Sequence, residues 1–225
     1  MPLLLHAIGP AEAQAAPLPE TGLRPEWPLG AVCAAGLVAW ASQCADVRPL
    51  GRGDALAHHR LAQQGLAAGL CLPVRFPTWV GDEQAVRELL DQRREALWAA
   101  LDRVRGRVEL AVTVTWLDTR PSPQPARLAT TPGTRFLQER QRRYATTDQQ
   151  RAEAQRLAGV IAADRRVLDA QHTIAPSQAI GLSSALLVAA EDALAVAKGL
   201  ESLQEGVRIL VNGPWPPYSF VLLEG

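Results

Sequence analysis

Between Asp82 and Trp116 the hydrophobic period of the chain changes from that of a helix to that of a strand, with one glycine at the junction. Val86, Leu89, Leu90, Leu97, Leu101 and Val104 form an apolar stripe on a helix whose other face is charged. Asp82 stands where an N-cap is wanted and Gly106 where the helix must stop. Val108, Leu110, Val112, Val114 and Trp116 then alternate with Glu109, Ala111, Thr113 and Thr115, the period of a half-buried strand with Glu109 pointing outward. A helix stripe and a strand face that both need covering within one short stretch commit the chain to layers of helix on sheet, an α+β fold.

The flanking sequence extends this reading. Leu3 to Ile8 reads as a buried strand, followed by a Pro/Ala-rich loop to Pro28. Gly30 to Cys44 reads as two short strands in a hairpin around Gly36, or, given its alanines, as a helix, Arg52 to Leu70 as an amphipathic helix ended by Gly69, and Cys71 to Phe76 as a strand. The proline-rich stretch Asp118–Pro132 has no period and reads as a linker. It divides the chain into an N-terminal α+β domain over residues 1–117, with a mixed sheet and helices, and a C-terminal domain over residues 133–225. In the latter, a long helical region from Gly133 to about Gln171, one helix or two since its apolar positions thin out in the middle, precedes a strand at Leu182–Ala189, a helix at Glu191–Leu203 and a strand at Val207–Val211, a ferredoxin-like α+β order.

Composition removes several function classes. With 23 basic and 23 acidic residues in 225, the chain has no net field to gather nucleic acid or an anionic membrane. The Arg135, Arg140, Arg142, Arg143 cluster around Phe136 and Tyr144 therefore reads as a solvated helix face first and as an interaction surface for an acidic partner second, ahead of a nucleic-acid surface. Cys33, Cys44 and Cys71 are odd in number and lack C-x-x-C spacing, which fits reduced thiols in a cytoplasm better than disulfides or a zinc site. The start lacks the basic residues of an export signal, and its apolar run is short and interrupted by His6. The apolar stretches at Gly30–Ala41 and Leu182–Leu200 are too short or too charged for the roughly 20 residues of a membrane span.

The residues able to do chemistry are few. His58 and His59 are neighbours, so on a helix they point about a hundred degrees apart and cannot share a metal in the i, i+4 manner. Asp54 lies at i, i+4 from His58, spacing that stabilises a helix. Ser183 and Ser184 lack a nucleophile elbow, and no glycine pattern cradles a nucleotide. Arg75, inside the apolar run Leu72–Phe76, must emerge at a strand end or pair with a carboxylate such as Glu109. No catalytic, cofactor or metal site is expected.

The closing segment Gly213-Pro214-Trp215-Pro216-Pro217-Tyr218-Ser219-Phe220-Val221 is the least ordinary in the chain. Its prolines fix φ and remove donors, making a stiff, non-helical rod to Pro217, after which Tyr218–Leu222 reads as a strand. Trp215, Tyr218 and Phe220 offer large apolar faces, suited to clamping the terminus, with Trp215 in the core of the C-terminal domain, or to docking a partner. This segment resembles the C-terminal signature of the GvpL/GvpF family of gas vesicle accessory proteins. In the order that family shows, Leu72–Phe76 resembles its LPVRF segment, Gly106–Val114 its GxVExxVxV strand, and Gly133–Arg140 a helix start, with His58-His59-Arg60-Leu61 upstream. The likeness runs through nearly the whole chain and is thinnest over residues 1–50. Pro77 stands where the family carries glycine, so the turn there must be built differently.

The resemblance implies a cytoplasmic, non-enzymatic accessory protein of gas vesicle assembly. It implies partners in the hydrophobic shell subunit and other accessory proteins, whether or not the protein stays in the finished vesicle. Arg75, Phe76, Trp215, Tyr218 and Phe220 are then the candidate partner-binding or structural signature. The alternatives are a ferredoxin-like regulator, which would need a cavity between sheet and helices, and a metal-dependent enzyme, which would need a polar pocket joining Asp54, His58 and His59.

Overall fold

The computed structural model describes residues 1–15, 17–45, 49–117, 148, 150–174, 180–203 and 206–221. The chain forms two compact units, Met1–Glu109 with Pro214–Gly225, and Leu110–Gly213. The crossing out of the first unit falls within a strand, earlier than the linker read from sequence at 118–132, which lies outside the described residues. The closing segment belongs with the first unit and not with the domain that precedes it in sequence.

In the first unit, β1 (Leu3–Pro10), β2 (Leu29–Ala34), β3 (Leu37–Gln43) and β4 (Leu72–Pro73) form a sheet in the order β2-β3-β1-β4, and β5 (Trp79–Val80) also pairs with β1. All these pairs are antiparallel. Strand β1 is central and buried on both faces, which is why its sequence is a continuous run without alternation. Its register against β3 shifts between Leu5 and Ala7, leaving His6 as the extra residue of a bulge. The β2–β3 hairpin turns on Ala35 and Gly36 with φ of 55° and 76°, the primed geometry that matches strand twist.

Helix α1 (Arg52–Ala67) packs on β1. The helix expected over Asp82–Val104 is two, α2 (Glu83–Gln92) and α3 (Arg94–Val104), broken at Arg93 (φ −103°, ψ 14°). The break lets one stripe serve two partners, since α2 packs against β2 and α3 against β4. Asp82 caps α2 by accepting from the Ala85 N–H at 2.9 Å. Only Leu72 and Pro73 of the expected Cys71–Phe76 strand pair as a ladder, because Pro73 and Pro77 bring no N–H, although the Val74 N–H still reaches the His6 carbonyl at 2.9 Å.

The second sheet takes the order β7-β8-β6-β9, from β6 (Arg107–Trp116), β7 (Val167–Thr173), β8 (Ile180–Ala189) and β9 (Val207–Trp215). Helix α4 spans 150–162 and α5 spans Ala193–Glu201. Val112 and Val114 of β6, Leu157 and Ile161 of α4, Leu182 and Leu186 of β8, Val196 of α5 and Ile209 of β9 are all buried in this unit. The helix read as continuing to Gln171 stops earlier. Asp164 accepts from the backbone and side chain of Arg166, a turn forms, and Val167–Thr173 pairs antiparallel with β8. Residues 133–147, where that helical region was expected to begin, lie outside the described residues. Strand β9 does not stop at Val211 but runs through Pro214, which an edge strand tolerates. Among the described residues no helix is long and apolar enough to cross a membrane.

Candidate functional site

The closing segment is held by its own turn and by one buried carboxylate. After Pro216 the chain does not continue as a strand. The Tyr218 N–H bonds the Pro216 carbonyl (2.8 Å) and the Phe220 N–H bonds the Pro217 carbonyl (3.1 Å), giving a 3-10 turn over Tyr218–Phe220. That turn aims both donors of Ser219 at Glu109, backbone N–H at 2.8 Å and hydroxyl at 2.9 Å. Glu109 is therefore buried, against the outward position its alternation suggested, and it serves Ser219 instead of Arg75. Arg75 is exposed, and its carbonyl accepts from the Thr78 hydroxyl (2.6 Å) in the turn that contains the cis Phe76–Pro77 bond.

Phe220 is 1% exposed and Pro216, Pro217 and Val221 are buried beside it. Trp215 meets the His59 ring edge-on at 5.0 Å, and Tyr218 stacks on the same ring at 6.2 Å. Trp215 thus lies against α1 of the first unit rather than in the core of the second, as sequence had placed it. Burial first, and the Glu109 charge second, push the Tyr218 hydroxyl up to about 12. That hydroxyl is buried with no hydrogen-bond partner among the described residues.

The two adjacent histidines are divided between different surroundings, as their angular separation on a helix requires. His59 faces the closing segment, while His58 turns inward. His58 Nε2 lies 2.9 Å from the Val74 carbonyl, His58 Nδ1 lies 2.9 Å from His6 Nδ1, and His6 Nε2 lies 2.7 Å from the Ser42 hydroxyl. The Leu23 N–H donates to the same hydroxyl oxygen at 2.7 Å. Phe76 covers the group, its ring 5.1 Å from His58. Burial, reinforced by the neighbouring His58, pushes His6 down to about 3. Burial also lowers His58, against the favourable bond to Val74 and with help from His59.

Beside this chain Gly22 is obligatory. A Cβ there would lie 2.2 Å from the Trp27 carbonyl and 2.4 Å from Ser42 Oγ. Asp54 does not pair with His58. It accepts from Nε and Nη2 of Arg24 (2.7 and 2.9 Å) and from the Gly51 N–H (2.8 Å), and these bonds hold its carboxyl down at about 2. Arg24 in turn lies over the Trp27 ring at 4.6 Å.

The structure therefore sorts the candidate residues into separate places. Trp215, Tyr218 and Phe220 gather on the first unit, Phe76 belongs to the histidine core, and Arg75 stands apart at the surface. Sequence reading missed His6, Ser42 and Ser219 as functional atoms. His6 carried a signal, since an imidazole in a strand buried on both faces needs partners for both nitrogens. Among the described residues no group of three or more histidine, cysteine, aspartate or glutamate side chains could hold a metal ion.

Fold and site together define a mixed α+β protein whose unusual residues are spent on binding one of its own segments. The model of the gas vesicle synthesis protein GvpL/GvpF family matches residues 3–222, and the chain belongs to that family. It is 31% identical over 193 residues to gas vesicle protein F of Streptomyces sp. (strain CB03234), covering 78% of this chain and 80% of that protein. It is 32% identical over 186 residues to gas vesicle protein L of the same strain, covering 74% and 68%. In fold it matches the crystal structure of GvpF from Anabaena sp. PCC7120 with a TM-score of 0.78 at 18% identity, over 100% of this chain and 99% of that one. The crystal structure of GvpF from Microcystis aeruginosa matches with a TM-score of 0.73 at 17% identity, over 99% of both.

Proposed function

We propose that this protein is an assembly factor of the gas vesicle that binds the hydrophobic shell subunit and other accessory proteins before the shell polymerises. The observation that carries the reading is the family match across nearly the whole chain. A folded partner could cover the apolar surface of an unpolymerised shell subunit reversibly, through exposed aliphatic side chains and sheet edges. Leu168 on β7 and Leu210 on β9 are about half exposed (49% and 51%) and sit on the two outermost strands of the second sheet. Pro214 near the end of β9 limits how far such pairing can run.

In this reading the two units act as two domains. The second, β6-α4-β7-β8-α5-β9, is a ferredoxin-like domain, supported by the strand order β7-β8-β6-β9. The closing segment locks the first and supplies no catalytic group. The test is deletion of the gene with vesicles followed by light scattering. Loss of scattering that the intact gene restores is expected, and normal vesicles without it would sink the reading.

A further inference from the structure

The bonds around His6 and His58 admit one arrangement of protons when both rings are neutral. The Val74 carbonyl can only accept, so His58 Nε2 carries hydrogen and His58 Nδ1 is a lone pair. His6 Nδ1, 2.9 Å away, must then donate, and His6 Nε2 must accept from the Ser42 hydroxyl, which itself accepts from Leu23. Every donor in this chain has an acceptor, and the chain joins β1, β3, α1, the loop at Leu23 and the segment after β4. One added proton places a charge where His6 is 0% exposed and His58 2% exposed, and it takes from the Ser42 hydroxyl its acceptor. A second sets two Nδ1–H donors against each other at hydrogen-bond distance.

We propose that the neutral His6–His58 pair is an acid-sensitive latch, which holds α1 and the loop at Leu23 onto β1 and releases them when either ring is protonated. Among the described residues, other ionisable groups on the surrounding elements do not compensate the charge. Asp54 of α1 is committed to Arg24 from the loop, and His59 opposes protonation of His58. Cys44 beyond β3 and Cys71 before β4 are thiols in buried positions, while Glu12, Arg60 and Arg75 are exposed. Since α1 also carries His59, the same release removes the ring against which Trp215 and Tyr218 pack.

Opened rings protonate near 6.5, whereas the latched pair does not, so the latch is fully stable above that pH and weakens as pH falls below it. The limiting slope is about tenfold in the opening constant per pH unit for each histidine. Hydrogen exchange of the full chain, corrected for intrinsic rates, reads this at the Leu23 amide and along α1. The expected result is an opening constant that rises more than about tenfold between pH 6.5 and pH 5, with the rise absent in a His6→Gln, His58→Gln double variant. A flat wild-type response, or the same rise in the variant, overturns the latch. Should the variant not fold, the ring carbon shifts of 13C-labelled histidine in the wild type decide. His6 and His58 neutral in the folded protein down to pH 5 support the latch, and titration near 6.5 overturns it.

Discussion

Truncating Phe220 to alanine measures how firmly the closing segment is built into the first unit. The ring is 1% exposed, and an aromatic side chain buries about 150–250 Å². At about 25 cal/mol per Å² that area corresponds to about 4–6 kcal/mol as an upper bound, and Phe→Ala substitutions in cores cost about 3–5 kcal/mol. Neighbouring side chains that relax into the space reduce the cavity, so a cost at the low end of that range, about 3 kcal/mol, is expected. That lowers the folded-to-unfolded ratio more than about a hundredfold. Urea unfolding followed by tryptophan fluorescence suits the question, because Trp27, Trp40, Trp79 and Trp98 all belong to the first unit. With a slope of about 2 kcal/mol/M, the midpoint moves down by about 1.5 M. A shift under about 0.3 M would refute the claim that the segment is part of the core.

Three other outcomes follow from the same geometry. Trp215→Ala, which removes a half-buried ring from His59, should cost about 1–2 kcal/mol, less than Phe220→Ala in the same urea titration. Gly22→Ala forces a Cβ into the Trp27 carbonyl and the Ser42 hydroxyl, and should lower stability by at least about 1–3 kcal/mol in a thermal melt. Asp54 has its carboxyl lowered from 3.8 to about 2 by Arg24, so its contribution is present above pH 3.8 and lost as pH falls towards 2. Asp54→Asn should therefore be less stable than wild type near neutrality and show a shallower acid-unfolding profile across that interval.

Elements whose burial is local were legible from the residues. The Val108–Trp116 strand needed only neighbours a few positions away and stands as read except at Glu109, and of the two readings of Gly30–Cys44 the hairpin at Gly36 holds. What escaped was decided by contacts distant in sequence. Nothing near Glu109 says that its partner will be Ser219, 110 positions on, and its outward parity argued against burial. His6 and His58, 52 positions apart, face each other because β1 bulges at His6 while α1 turns His58 inward. Val167 and Leu168 fit a helix stripe as well as a strand, and the Asp164–Arg166 turn decides between them. The closing segment was legible as rigid and aromatic, but which unit it joins depends on His59 and Glu109.

The central claim is that this protein engages the gas vesicle shell subunit, and co-purification tests it most directly. The chain, tagged and expressed with the shell subunit, should retain that subunit through washing. Recovery of the folded, tagged chain alone, from cells in which the shell subunit is abundant, would contradict the account.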